Sequence, residues 1–208
     1  MTLLAPRRPR LAIAGGLLAA LTATLAATGV LRRVDQYAVD HLMPWLEVRH
    51  HPFVTIGALT VPSFEPPAAN TALELWTYPA AFVPSLLIVL AVASRLARRD
   101  AIVWCALWLA GNAIELAGKL TLHKPDLYHH TLHAAAFDTS LPSGHTIRAL
   151  ILAGAVACAW RSGRLALVWA ATVPVVLIVE GAHTPSDVVA GVFVVMTLAA
   201  WVPDLRRA

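Results

Sequence analysis

The chain has 208 residues, of which 58% are hydrophobic and only 13% are charged. Soluble domains carry about 25% charged residues, so the composition favours one compact domain whose apolar surface is solvated by a bilayer. The formal charge is +4, but the arginines separate apolar runs and form no basic stripe, which argues against nucleic-acid binding. The two cysteines, Cys105 and Cys158, fall inside apolar runs and are expected to be packing residues.

Six apolar stretches predict an all-α, polytopic membrane protein with about six transmembrane helices. They run roughly Leu11 to Leu31, Leu75 to Ser94, Ala101 to Ala117, His145 to Trp160, Leu165 to Val179, and Val188 to Val202. Several of these stretches are short, so the count falls to five if one of them is re-entrant.

The arginines predict how the bundle is oriented. With six spans, ten of the 16 basic residues lie on one side, which the positive-inside rule assigns to the cytoplasm. These ten are Arg7, Arg8, Arg10, Arg95, Arg98, Arg99, Arg161, Arg164, Arg206 and Arg207. Arg32 and Arg33 go against the rule. The prediction is a multi-pass protein of the inner (plasma) membrane, with both termini in the cytoplasm.

The N-terminal region leaves one alternative open. The first stretch, with Ala26 and Ala27 near its end, could be a cleaved signal peptide, although its apolar run is long for one and favours a retained helix. The polar segment after it is expected to contain an amphipathic helix around Val34 to Val48 at the outer interface.

The predicted outer loop, 119–144, ends in Pro142-Ser143-Gly144-His145 directly before an apolar run. Glycine lets the backbone approach a ligand closely, and the free N–H groups at a helix start attract anions. Ser143 adds a hydroxyl donor, and His145 adds a group that titrates near neutral pH. The alternative is an ordinary helix start, with Ser143 as its cap and His145 merely interfacial.

A second polar stretch, 180–187, contains His183 followed four residues later by Asp187. A carboxylate there can accept from the imidazole Nδ1–H and leave Nε2 free as a nucleophile. The alternative is structural, because Thr184, Pro185 and Asp187 also form the pattern of a capping box. One carboxylate has two oxygens, so both interpretations can hold.

The loop also contains four histidines and the only two lysines of the chain. Lys119 and Lys124 lead into the loop, although a lone lysine at a membrane edge usually just extends its ammonium into the polar interface. The histidines are His123, His129, His130 and His133. A zinc site is one interpretation of that group, but interfacial histidines without a cysteine are commoner, and no metal is predicted.

In this order the features resemble the type 2 phosphatidic acid phosphatase superfamily, which includes lipid phosphate phosphatases and vanadium haloperoxidases. Its three motifs are a lysine with a downstream Arg-Pro, then Pro-Ser-Gly-His, then Ser-Arg with a downstream His and Asp. The resemblance covers about 101–201. The second motif matches fully at 142–145, and the segment 183–191 is close to the third.

The resemblance implies a catalytic set of two histidines and one aspartate. His183 would be the nucleophile that forms a phosphohistidine, and Asp187 would orient it. His145 would protonate the leaving group and later activate water. The phosphoryl oxygens would be held by Lys119, Ser143 and Gly144. No cofactor or metal is implied, because cations and backbone dipoles supply the charge stabilisation.

Two arginines of the family pattern are missing. Counting from Lys119 places the first at Asp126, and counting back from His183 places the second at Leu177. We expect Arg148, one turn after His145, to supply one missing guanidinium and Lys124 to replace part of the other. The alternative is that Arg148 pairs with a carboxylate, either Glu115 or Glu180.

The sequence therefore predicts a membrane phosphatase acting on a lipid phosphate, such as phosphatidate or phosphatidylglycerol phosphate, or on a polyprenyl diphosphate. Its site is expected on the extracytoplasmic (periplasmic) face, with the lipid substrate and the bilayer as partners. Two alternatives are a phosphotransferase on a lipid phosphate and a catalytically degenerate protein that only binds one. The sequence does not predict an oligomeric state.

Overall fold

The computed structural model describes residues 8–43, 53–56, 59–62, 71–130 and 132–202. Over these ranges the chain is predominantly helical. The helices are α1 Pro9–Ala27, α2 Arg32–His41, α3 Thr71–Thr77, α4 Phe82–Ala93, α5 Arg98–Thr121, α6 Gly144–Ala159, α7 Arg164–Val179 and α8 Pro185–Ala199. Two short antiparallel hairpins pair β1 Phe53–Ile56 with β2 Leu59–Pro62, and β3 Tyr128–His129 with β4 Leu132–His133. The all-α prediction is confirmed.

Span number is only partly supported by helix length. Two helices, α1 and α5, are long and apolar enough to cross a bilayer, with 19 and 24 residues. A third candidate is the pair Ala72–Ala80 and Phe82–Ala93, which is bent by 52°. The apolar helices α6, α7 and α8 have 16, 16 and 15 residues, about 24 Å at 1.5 Å per residue, against a hydrocarbon thickness of about 30 Å. Six spans therefore remain a prediction.

Two predicted segments differ from the structure. The stretch Leu75 to Ser94 is not one helix, because the 3₁₀ turn Tyr78–Ala80 and an extended Ala81 interrupt it. Pro79 within that turn cannot donate a backbone hydrogen bond, which favours the break. The amphipathic helix ends at His41, earlier than the predicted Val48, and residues 44–50 lie outside the described ranges.

The helix directions give the bundle two chemically different ends. Helices α5 and α7 end, and α6 and α8 begin, beside the two predicted motifs, and we call this the site end. At the opposite end α1 begins beside the C-terminus of α8, where the Arg8 N–H donates to the carbonyl of Ala200, the C-cap residue, at 3.3 Å. The arginines of that end whose side chains are described are all exposed: Arg8, Arg10, Arg95, Arg98, Arg99 and Arg164. We call it the basic end.

Apolar clusters form the core of the bundle. The largest packs α4, α5, α6 and α8 around residues such as Val89, Trp108 and Ile151. A separate cluster lies under α2 and joins it to the loop after α5 through Val39, Leu127 and others. Helix α2 thus lies against the site end as part of the fold, and this packing positions its polar residues near the motifs.

Candidate active site

His183 lies in the short turn between α7 and α8. Gly181 has φ +73°, a conformation that glycine adopts readily, and it reverses the chain after α7. The backbone N–H groups of Ala182 and His183 both donate to the Leu177 carbonyl, at 2.9 and 3.2 Å. The turn is therefore tied to the last turn of α7, and the His183 side chain is buried within it.

Asp187 is fully buried in the first turn of α8 and uses both carboxylate oxygens. Its Oδ2 accepts from the Thr184 N–H at 2.9 Å and from the Ser140 hydroxyl at 2.7 Å. The His183 Nδ1 lies 3.5 Å from the same oxygen, an ion-pair contact that is longer than a hydrogen bond. Its Oδ1 accepts from the Lys124 ammonium at 2.7 Å. The capping box and the contact with His183 thus coexist.

The charge of Asp187 is set by two opposing effects. Burial disfavours the ionised carboxylate, but Lys124 and His183 beside it favour ionisation more strongly. The net result is a pKa well below the ordinary range for this side chain, which precedes the predicted last span. The carboxylate is therefore ionised at neutral pH and can hold a proton on His183 Nδ1.

The second motif forms the start of α6. Ser143 is the N-cap residue, and its Oγ accepts from the Thr146 N–H at 3.3 Å and from the Thr146 hydroxyl at 3.1 Å. Its backbone N–H donates to the Asp187 carbonyl at 3.0 Å, which ties α6 to α8. The His145 ring lies 6.2 Å from the His183 ring, centroid to centroid. The two predicted catalytic histidines are therefore neighbours.

Lys124 is placed deep in the site, with its side chain only 2% exposed. Besides Asp187, its ammonium donates to the Thr184 hydroxyl at 2.7 Å and lies 3.6 Å from Asp35 Oδ2. The Asp35 carboxylate accepts from the Ser186 N–H at 3.0 Å and from its hydroxyl at 2.6 Å. Lys124 thus contacts Asp187, the carboxylate that is predicted to orient His183.

Asp35 is a residue that the motifs alone do not predict. It lies on α2, 151 positions before Ser186, and is 2% exposed. The available signal was its spacing, because Asp35 falls three and four residues before the buried Ala38 and Val39. A carboxylate on the apolar face of an amphipathic helix needs a partner, and here the partners belong to α8 and the loop.

Arg148 and Lys119 meet at one carboxylate. Arg148 donates from one guanidinium nitrogen to Glu115 at 2.5 Å and to the Asn112 side chain at 2.9 Å, and its Nε donates to the Ala80 carbonyl at 2.7 Å. The Lys119 ammonium donates to the other oxygen of Glu115 at 2.7 Å. The pairing of Arg148 with Glu115 is one form of the alternative that the sequence left open, in which Arg148 pairs with a carboxylate.

The Glu115 carboxylate also lies directly against Gly144, the first residue of α6. A Cβ added to Gly144 would overlap that carboxylate group. Three of the five predicted phosphate-binding residues, Lys119, Gly144 and Arg148, therefore surround a single carboxylate. The anion that these three residues contact in this structure is the Glu115 side chain.

The two positions that lack the family arginines differ in setting. Asp126 is exposed in the loop after α5, where its carboxylate lies 3.6 Å from the His133 imidazole. Leu177 is fully buried in an apolar cluster. That cluster also contains Ala80, whose carbonyl accepts from Arg148. The guanidinium of Arg148 thus lies close to the buried neighbourhood of Leu177.

The loop histidines do not form one ligand set in the described part of the chain. The rings of His129 and His130 lie 4.5 Å apart, and His123 is exposed. His133 alone belongs to a group of three possible metal ligands, with Asp126 and Asp138. This group lies on the loop surface, separate from His183 and His145.

A family model supports the same assignment. Residues 118–207, less than half of the chain, match the model of the PAP2 superfamily. No curated protein and no solved structure matches the chain. Members of this superfamily are phosphatases that act on phosphate esters, typically those of lipids. The match covers the second and third motifs and every predicted site residue, so residues 118–207 of this chain are similar to the PAP2 superfamily.

Proposed function

We propose that the protein is a membrane phosphatase that hydrolyses a lipid phosphomonoester or a polyprenyl diphosphate through a phosphohistidine. The observation that carries the proposal is the placement of His183 between an ionised carboxylate and a second histidine. Asp187 lies 3.5 Å from its Nδ1, and the His145 ring lies 6.2 Å from its ring. An anion-collecting helix start adjoins the pair.

In the first step His183 attacks phosphorus with Nε2. Asp187 holds the proton on Nδ1 and stabilises the positive charge that develops on the ring. The phosphorus–oxygen ester bond breaks, and His145 gives its proton to the departing alkoxide or phosphate. The product of this step is a phosphohistidine on His183 and a free lipid alcohol or lipid monophosphate.

In the second step water completes the hydrolysis. His145, now neutral, takes a proton from a water molecule as that water attacks phosphorus. The phosphorus–nitrogen bond breaks, inorganic phosphate leaves, and His183 returns to its neutral form. The distance of 6.2 Å between the two ring centroids supports this double role, because both rings can then contact opposite sides of one phosphoryl group.

Cations and backbone donors stabilise the charge of the phosphoryl oxygens, and no metal is required by this scheme. The side chains of Lys119 and Arg148 meet at one carboxylate beside Gly144, and the hydroxyl proton of Ser143 is not used in its two bonds with Thr146. Arg148 replaces one of the missing arginines. Lys124 does not contact the phosphoryl group in this scheme and instead holds Asp187 in position.

The substrate follows from the setting of the site. It lies at one end of a bundle with exposed apolar helix faces, among them Leu17 on α1 and Leu109 on α5, at 67% and 65% exposure. A lipid phosphate reaches such a position with its chain still in the bilayer. With the basic end in the cytoplasm, the site faces the periplasm.

Phosphate release tests the proposal. The purified protein in detergent is offered phosphatidate, phosphatidylglycerol phosphate and a polyprenyl diphosphate with a chelator present. His183→Ala is expected to lower release by at least about 1,000-fold, and His145→Ala by about 100- to 10,000-fold. His133→Ala, which changes an exposed loop histidine, is the matched control and should keep wild-type release. Activity that survives in His183→Ala would contradict a phosphohistidine.

A second candidate is a protein that binds a lipid phosphate without turnover. Its support is specific, because both family arginines are missing and Arg148 is engaged with Glu115. Folded protein that binds a lipid phosphate but releases no phosphate from any substrate would favour it. Transfer to an alcohol instead of water is distinguished by analysing the products with glycerol present.

A further inference from the structure

We infer that Glu115 is a resident counter-anion of the phosphoryl site, which substrate phosphate must displace and which helps to expel the phosphate product. The inference rests on the proposed function, because it assigns a role in the same site. It adds a residue that none of the three family motifs contains. Glu115 lies on α5, three positions before the first residue that the family model matches.

The contacts of Glu115 are those of a bound phosphate. One oxygen accepts from the Lys119 ammonium at 2.7 Å, and the other accepts from the Arg148 guanidinium at 2.5 Å. The carboxylate group also lies against Gly144, the first residue of α6. Two cations and a helix N-terminus are the donors that a phosphoryl group seeks.

The charges of the site explain why such a group is present. The salt bridges beside the histidines join three cations to three carboxylates: Lys119, Lys124, Arg148, Asp35, Glu115 and Asp187. Lys124 faces two of these carboxylates, Asp35 and Asp187, whereas Lys119 and Arg148 share one, Glu115. Without Glu115, Lys119 and Arg148 would both lose the carboxylate that they contact here. Arg148 is 5% exposed, and an unpaired buried guanidinium is costly.

The exchange needs only a local movement. Glu115 and Lys119 are one turn apart on α5, and the Lys119 side chain is 39% exposed. The pair can therefore turn toward the loop together. The three donors of the ammonium allow it to hold the carboxylate and a phosphoryl oxygen at once. Arg148 stays in place because Asn112 and the Ala80 carbonyl also hold it.

The consequence is a trade between affinity and release. Glu115 weakens the binding of both substrate and product phosphate. It therefore raises the substrate concentration needed for half-maximal rate and shortens the residence time of the product. Glu115→Gln keeps the shape of the side chain and removes the competing charge. It is expected to bind inorganic phosphate about tenfold more tightly, to lower KM, and to lower kcat where product release limits the rate.

The test is equilibrium dialysis of the full chain in detergent with radiolabelled inorganic phosphate. Asp126→Asn is the matched control, because it removes one carboxylate from the same end without a contact to Lys119 or Arg148, and its affinity should equal that of the wild type. The double variant Glu115→Gln with Arg148→Gln removes both charges of the pair and should lose phosphate binding. Unchanged or weaker binding by Glu115→Gln would overturn the inference.

A second measurement does not depend on the folding of any variant. Phosphate binding to the wild type should change the infrared carboxylate band as Glu115 leaves Arg148, and a flat difference spectrum at saturating phosphate would contradict the exchange. The same preparations are assayed for phosphate release. Turnover by the wild type without tighter binding by Glu115→Gln refutes this inference alone. Tighter binding without any turnover refutes the proposed hydrolysis and keeps Glu115 as the resident anion.

Discussion

At the scale of single residues, Asp187 joins the chemistry to the fold. Its two oxygens receive the Lys124 ammonium, the Ser140 hydroxyl and the Thr184 N–H, and His183 lies beside them. A side chain that caps a helix and orients a nucleophile cannot be replaced without loss of both. Its ionisation is therefore linked to stability as well as to catalysis.

Acid should destabilise the protein through Asp187. Its pKa is lower in the folded protein than the value of about 3.9 for an unfolded chain, so the ionised carboxylate stabilises the fold above about pH 4 and loses this effect as pH falls further. We expect the thermal midpoint of the wild type, followed by tryptophan fluorescence in detergent, to fall more steeply between about pH 5 and 3 than that of Asp187→Asn. Asp187→Asn should already be less stable at pH 7. Parallel pH profiles of the two proteins would contradict this linkage.

At the scale of elements, α2 closes the site from outside the family-matched region. Arg32 Nε donates to the Asp126 carbonyl at 3.1 Å, and Gln36 bonds the backbone of Tyr128, so the helix holds the loop after α5. Asp35 holds α8 through Ser186. One short helix therefore fixes the two segments that carry Lys124 and Asp187.

Asp35→Asn should loosen this arrangement. The amide keeps the size of the side chain but loses the charge that faces Lys124 and one acceptor for Ser186. We expect the free energy of unfolding to fall by about 1 to 3 kcal/mol and kcat/KM to fall about tenfold. Urea unfolding and phosphate release measure the two effects. Asp40→Asn is the control on the same helix, because Asp40 is exposed and accepts a hydrogen bond from its neighbour Gln36, and it should change stability by less than about 0.5 kcal/mol. Equal effects of the two substitutions would refute a role for Asp35.

The local signals in the sequence predicted the parts of the site that depend on a few adjacent residues. The starts of α6 and α8 are encoded by Ser143 and by Thr184 with Asp187, and the structure has both. The partner of Arg148 remained open between two carboxylates, because the choice depends on how α5 packs against α6. Asp35 was missed since its contacts join positions 151 apart, which no local pattern reports. The kink after Thr77 was missed because the apolar run hides a proline within it.

At the scale of the whole molecule, the site and the exposed arginines of the basic end lie at opposite ends of the bundle. Helix α5 is about 36 Å long by its 24 residues, enough to separate the two ends across a bilayer. Its first residues are Arg98 and Arg99, and its last turn carries Lys119 of the site. Helix α6 runs from the site end to the basic end, and α7 runs back to the site end. This polarity, more than the number of spans, determines on which face of the membrane the candidate site lies.

The orientation can be measured with two single cysteines. In a background with Cys105→Ala and Cys158→Ala, Thr139→Cys places a thiol on the exposed loop of the site end, and Ser162→Cys places one on the exposed turn between α6 and α7 at the basic end. The positive-inside rule predicts that a membrane-impermeant maleimide labels the first in intact cells and the second only after permeabilisation. Both thiols should react in detergent, which controls for exposure. The reverse pattern would place the site in the cytoplasm, where the substrate would have to be a lipid phosphate of the inner leaflet; labelling of both in intact cells would mean that the α6–α7 pair does not cross the bilayer.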